Sequence, residues 1–225
     1  AEADRIVVCL TRDAGLVQRL TRTQRAADSA VREERQAAIR AYAALVGGFP
    51  NHVRMDEALY SLALLLEEMG QQPRARQVYH RLLRDHPQSR FVPHAYLAFA
   101  EFYFADGQLD SARQFYERVI AIPAEQNDLY GYALYKLAWV RYNEEDFRGA
   151  LDDFVGVLEH ARQYSLRSSS AALARQARRE IVLPYARVGR PDQALAFFRR
   201  VAAHEDEAFE MLAALAQLYT DTGQW

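Results

Sequence analysis

The residues of this 225-residue chain whose types could support catalysis or metal binding are six histidines, one cysteine and a few carboxylate clusters. The histidines stand at 52, 80, 86, 94, 160 and 204. No two are spaced His-x-x-x-His and none opens a His-Glu-x-x-His stretch, so no helix face offers the paired nitrogens that zinc requires. Glu67-Glu68, Glu144-Glu145-Asp146 and Asp152-Asp153 are dense in carboxylates. None forms the Asp-x-Asp-x-Asp-Gly loop that gathers enough oxygens for calcium, and they read as solvated surface. Cys9 is alone, which excludes an internal disulfide and a cysteine cluster. Within the run Ile6-Val7-Val8-Cys9-Leu10 it reads as a small buried hydrophobe, and Val8 before it is unlike the small residue of a lipidation signal. Gly-rich phosphate loops and a Gly-x-Ser-x-Gly elbow are missing as well. The expectation is a non-catalytic protein with no cofactor and no metal.

Composition limits the partners. Apolar residues make up 50% and charged residues 26%, the balance of a folded chain and too apolar for intrinsic disorder. A net charge of -2 gives no bulk attraction to nucleic acid or to a membrane surface. Its distribution is uneven: residues 1–54 carry +3, 55–170 carry -5, 171–200 carry +5 and 201–225 carry -5. The cations are 27 Arg and the single Lys136, a bias that suits a GC-rich genome. No run of 18 apolar residues is present, so direct membrane insertion is not expected. The sequence begins without Met and stops at Trp225 inside a repeat, which reads as a fragment whose missing leader says nothing about location.

What positions the side chains is a repeat. Ala38, Ala75, Ala112 and Ala150 are spaced by 37, 37 and 38 residues, and Pro50 and Pro87 by 37. Within the best unit, Leu59, Leu62, Ala63 and Leu66 follow helical spacing, Gly70 interrupts, and Ala75, Tyr79 and Leu82 resume it up to Pro87. Gly70 suits a helix end that needs positive φ, and Pro73 suits the first turn of the next helix. Such a period means stacked units, none of which can bury its apolar face alone.

This unit resembles the tetratricopeptide repeat. The first complete copy supplies Leu59, Leu62, Ala63, Leu66, Gly70, Ala75, Tyr79 and Pro87; the second supplies Tyr96, Phe99, Ala100, Tyr103, Gly107, Ala112 and Tyr116, with Pro123 one place early. The third has Leu134, Leu137, Ala138, Ala150 and Phe154, with Arg141 where an aromatic is expected and Glu145 in place of Gly. In the fourth, Ile181, Tyr185, Gly189, Ala194 and Phe198 match, but Arg178 stands at an apolar position and Val182 at a small one. Leu212, Leu215, Ala216, Tyr219 and Gly223 begin a fifth, while Ala38, Tyr42, Leu45 and Pro50 match half of an earlier unit. The resemblance implies an all-α fold: a right-handed α-solenoid of antiparallel helix pairs, five or six units, the last incomplete. The expected organisation is N-terminal helices with a degenerate repeat over 1–54, a regular core over 55–160, and C-terminal repeats over 161–225. Between Ala150 and Ala194 the spacing lengthens to 44, and Ser168–Ser170 read as a turn with a helix cap, either a hinge or only a longer loop.

In such folds the first helix of each unit lines the inner wall. Carried over, the resemblance places Tyr60 and Leu64, then His94, Leu97 and Phe104, then Tyr132, Tyr135, Trp139 and Tyr142 on that wall, with Arg179 one unit on. An aromatic groove implies a protein or peptide partner anchored on Tyr135, Trp139 and Tyr142, with an acidic group near Arg179. Packing of Tyr132 and Tyr135 between helices is the competing reading. Tyr60 and Leu64 replace the Lys and Asn of the carboxylate clamp, which disfavours chaperone tails. The linker His86-Pro87-Gln88-Ser89-Arg90-Phe91-Val92-Pro93 and the run Leu134–Asn143 resemble repeats of bacterial envelope and gliding-motility proteins. That likeness implies a scaffold in the periplasm or envelope; a cytoplasmic adaptor and a glycan- or peptidoglycan-binding module are the alternatives. Because the last helix would lack its partner, Leu212, Leu215, Ala216 and Tyr219 are expected to lie partly open and to allow self-association.

Overall fold

The computed structural model describes residues 29–166 and 170–223, and all regular elements among them are helical. The expected helices before residue 29, Cys9 with its apolar run, and Ser168 and Ser169 of the expected turn lie outside the described residues. The chain divides into two compact units after Ser89.

In the first unit, α1 (29–48) precedes the hairpin of α2 (Met55–Glu68) and α3 (Gln72–Asp85). Leu59, Leu62, Ala63 and Leu66 from α2 meet Ala75, Tyr79 and Leu82 from α3, and all are buried. The small residues Ala63 and Ala75 allow the close approach, and Gly70 makes the turn with φ of 71°. Its neighbours close the helix end: Gln71 N–H donates to the Leu66 carbonyl at 2.8 Å. The Tyr79 hydroxyl donates to Glu67 at 2.8 Å, so each helix gives one polar atom to the other; burial holds both groups above their ordinary pKa.

The second unit runs α4 (Val92–Ala105), α5 (Leu109–Ile120), α6 (Tyr130–Asn143), α7 (Phe147–Gln163), α8 (Ser170–Glu180), α9 (Val182–Val188), α10 (Ala194–Val201) and α11 (Glu205–Asp221). Pro123 stops α5 and leads into a short 3-10 turn over Ala124–Gln126. Behind it Asn127 is buried, donating to the Val119 carbonyl at 2.7 Å and accepting from Leu129 N–H at 3.0 Å. One side chain thereby satisfies the end of α5 and the approach to α6.

Two apolar clusters fill this unit, and α6 belongs to both. Ala133, Leu137 and Val140 join Ala112, Tyr116 and Val119, whereas Leu134, Tyr135 and Ala138 join Phe154, Val157, Ile181, Tyr185 and Phe198. Apolar residues on nearly every side are what a doubly buried helix needs.

Where the third unit departs from the repeat pattern, the backbone keeps to it. Glu145 takes φ of 63°, the left-handed conformation that Gly107 takes at 74° one unit earlier. The fourth unit differs more. A helix continuous from Ser170 would need an N–H at position 184 to close on the Glu180 carbonyl; Pro184 has none, and the helix breaks at Ile181 into α8 and α9. Gly189 is not left-handed, with φ of -76°. Glycine is required there by space, since a Cβ would stand 2.5 Å from the Tyr185 ring.

At the far end the expected partial opening holds for Leu212, Ala216 and Tyr219 but not for Leu215. Leu215 is only 2% exposed and packs in the larger cluster with Ala208 and Met211, while Leu212 and Tyr219 lie against it. Leu212 and Tyr219 nonetheless remain half-buried and Ala216 exposed, so α9 and α10 cover the apolar side of α11 only in part. Arg178, an unexpected charge on α8, reaches Glu207 of α11 at 2.8 Å.

Candidate functional site

Side-chain contacts set α4, α6 and α8 along one face. Lys136 of α6 lies 3.2 Å from Glu101 and 4.2 Å from the centre of the Phe104 ring, both on α4. On the other flank, Glu180 of α8 accepts on one oxygen from the Tyr135 hydroxyl at 2.6 Å and from the Trp139 indole at 2.8 Å. Gln176 adds a bond to the Tyr135 oxygen at 2.8 Å.

The sequence-predicted residues divide accordingly. Tyr132 is 41% exposed, and burial of the remainder beside Glu101 pushes its hydroxyl up to about 12. Tyr135 is only 7% exposed, with its hydroxyl engaged; it is an interior residue, not an open anchor, as the packing alternative requires. Trp139 is half-buried, edge-on to Tyr142 at 5.6 Å and to Phe154 at 5.9 Å, with its N–H already bonded. Tyr142, Phe104, Leu97 and His94 are half-buried. Burial lowers the His94 pKa, with Asp128 opposing, which favours the neutral ring. Arg179 is exposed and makes no ion pair among the described residues. Tyr60, half-buried, and Leu64, exposed, sit on α2 in the first unit.

Sequence reasoning missed Glu180. Its signal was available: Glu180 follows Gln176 by four residues and so shares that residue's helix face.

Arg141, standing where an aromatic was expected, instead centres a set of ion pairs. It approaches Asp153 at 3.0 Å and Glu117 at 3.6 Å, while Arg113 reaches Glu144 at 3.2 Å and Asp110 at 3.1 Å. All of these but Asp153 line an open cleft of about 920 Å³ between α5, the last turn of α6 and the turn after it. Asp153 is buried, and desolvation pushes its carboxyl up to about 7 even with Arg141 beside it. Four carboxylates here face arginines, and Ser111 lines the cleft beside them. The described residues contain no group of three metal-ligating side chains, and none of their helices is long and apolar enough to cross a membrane.

Comparison with known proteins agrees with this architecture. Residues 57–89 and 93–126 each match a sequence profile described as a tetratricopeptide repeat. No curated protein matches the chain. Among solved structures, BtubC (BKLC) from P. vanneervenii is 20% identical, with a TM-score of 0.58 over 86% of this chain and 83% of that one. The MamA protein is 21% identical, TM-score 0.55, covering 83% and 87%. A tetratricopeptide repeat protein from Parabacteroides merdae is 18% identical, TM-score 0.57, covering 88% and 70%. At these identities the likeness speaks for the fold alone. Repeats of this kind generally serve as interaction scaffolds and not as catalysts. Two stretches of this all-helical chain, 57–89 and 93–126, thus match the tetratricopeptide repeat.

Proposed function

We propose that this chain is a non-catalytic scaffold that holds a segment of a partner protein against the α4–α6–α8 face. The observation that carries the reading is the open Tyr132 ring beside Glu101, whose ion-pair partner, Lys136, lies over the Phe104 ring. Aromatic area with a polar handle is what recognition surfaces use, and an ammonium and a carboxylate beside it give register. Arg179, exposed on α8 and in no ion pair among the described residues, offers an acidic residue of the partner a second anchor. Trp139 and Tyr135 support this surface from behind instead of forming its open part.

A place in a bacterial envelope complex, such as outer-membrane or motility machinery, is part of the same proposal. It rests on the likeness of the His86–Pro93 linker and the Leu134–Asn143 run to repeats of envelope proteins. The test is crosslinking capture from source cells with the protein as expressed there against its Phe104→Ala/Tyr132→Ala variant, combined with fractionation of the envelope. Envelope proteins captured by the wild type and lost from the variant are expected. Equal capture by both would end the assignment of this face, and a protein confined to the cytosol would end the envelope role.

A further inference from the structure

A second recess lies away from that face, bounded by α7, α9, the 3-10 turn Pro191–Gln193 and α10. Its volume is about 380 Å³, within the range of side-chain and small-ligand pockets. The floor is apolar. Leu151 and Tyr185 are buried, Val155 and Phe197 half-buried, and Val188 exposed. Tyr185 is fixed from three sides: its hydroxyl donates to the Arg190 carbonyl at 2.9 Å, Phe197 stacks on it at 4.6 Å, and Gly189 lies against its ring. The floor is thus preformed.

Its rim is cationic. Arg148, Arg190 and Arg200 line it against a single carboxylate, Asp152. Arg190 is already held by Asp192 at 2.7 Å. Arg148 and Arg200 make no ion pair among the described residues, although Asp152 stands one helical turn after Arg148, where a solvated helix face would pair them. Arg200 instead lies over the Phe197 ring, 5.3 Å from its centre, with its charge toward the recess. The +5 charge of residues 171–200 has the same outlet. Three of its seven arginines, Arg178, Arg190 and Arg199, are matched by Glu207, Asp192 and Glu205, whereas Arg200 opens here unmatched.

We propose that this recess is a second binding site, occupied by an acidic segment of a partner protein. One apolar side chain of that segment seats against Val155, Val188 and Phe197, and its flanking carboxylates pair with Arg148 and Arg200. Charge complementarity selects the acidic partner, and the apolar floor selects a peptide over a bare inorganic anion, to which it offers no hydrogen bond.

The test pans a phage-displayed random dodecapeptide library over the full chain. The expected winners join Asp or Glu to Leu, Phe or Trp. Their affinity should fall at least tenfold on Arg148→Glu/Arg200→Glu, fall less on Arg148→Lys/Arg200→Lys, and stay unchanged on Phe104→Ala/Tyr132→Ala. Both arginines are exposed, so the charge-reversed protein should fold, and a thermal melt checks that it does. The proposal is overturned if no acidic-apolar family is enriched, or if such a family binds the charge-reversed protein as well as the wild type. Peptides lost only on Phe104→Ala/Tyr132→Ala also count against it, since they would belong to the α4–α6–α8 face.

Discussion

Trp139 and Glu180, 41 residues apart, are joined by an indole N–H that donates to a carboxylate oxygen at 2.8 Å. The same oxygen holds Tyr135, so one carboxylate fastens α6 to α8 through two donors. Hydrogen bonds to a charged acceptor contribute about 1.5–3 kcal/mol each. Glu180→Ala should therefore lower unfolding free energy by about 2–4 kcal/mol in urea titrations, with Glu180→Gln losing less. An unchanged midpoint would mean that the bonds are not formed in solution.

Glu145 offers a gain. A non-glycine residue in the left-handed region carries roughly 1–2 kcal/mol of strain, and glycine returns part of the relief through the greater freedom of its unfolded chain. Glu145→Gly should raise stability by about 0.5–1 kcal/mol. Gly107→Ala, which imposes that strain where there is none, should lower it by a similar amount. Denaturant midpoints that move the opposite way would refute the turn geometry.

Asp153 predicts a pH dependence. Its folded pKa of about 7 lies above the unfolded value of 3.8, so the unfolded chain loses the proton first as pH rises. Stability from this group falls between those two values, by about 1.4 kcal/mol per pH unit, and is level below them. Thermal melts from pH 4 to pH 7 should show the wild type losing ground to Asp153→Asn across that window. A constant difference would show that Arg141 keeps the carboxylate charged throughout.

Gly189→Ala should cost about 1–3 kcal/mol, because the new methyl group meets a Tyr185 ring that Phe197 and Phe198 prevent from moving. Near-ultraviolet dichroism of the aromatic cluster should change with it. A neutral substitution would mean that the ring has room to shift.

Much of this was legible because the signals are local. Gly70, Pro73 and Ala75 fix a turn by their own backbone limits and size, and the positions read as buried in 59–82 are buried. Pro184 was equally readable as a break, but the repeat pattern drew a helix through it. Glu145 was a doubtful turn by residue type; hydrogen bonds from Asp146 N–H to the Arg141 carbonyl at 2.9 Å and from Glu145 N–H to the Tyr142 carbonyl at 3.1 Å hold it nonetheless. Burial of Tyr135 and the role of Arg178 could not be read locally, since their partners lie 45 and 29 residues further on. Open surface is what remains after packing, and packing between units is invisible to spacing within one.

Because α6 is a wall of two cores, it transmits as well as separates. A ligand pressed on Tyr132 would add its binding free energy to the native state of a helix that neither cluster can release alone. Amide protection would then rise in α5 and in α7 together, so that occupancy at one surface is recorded on both sides of it as a shared resistance to opening.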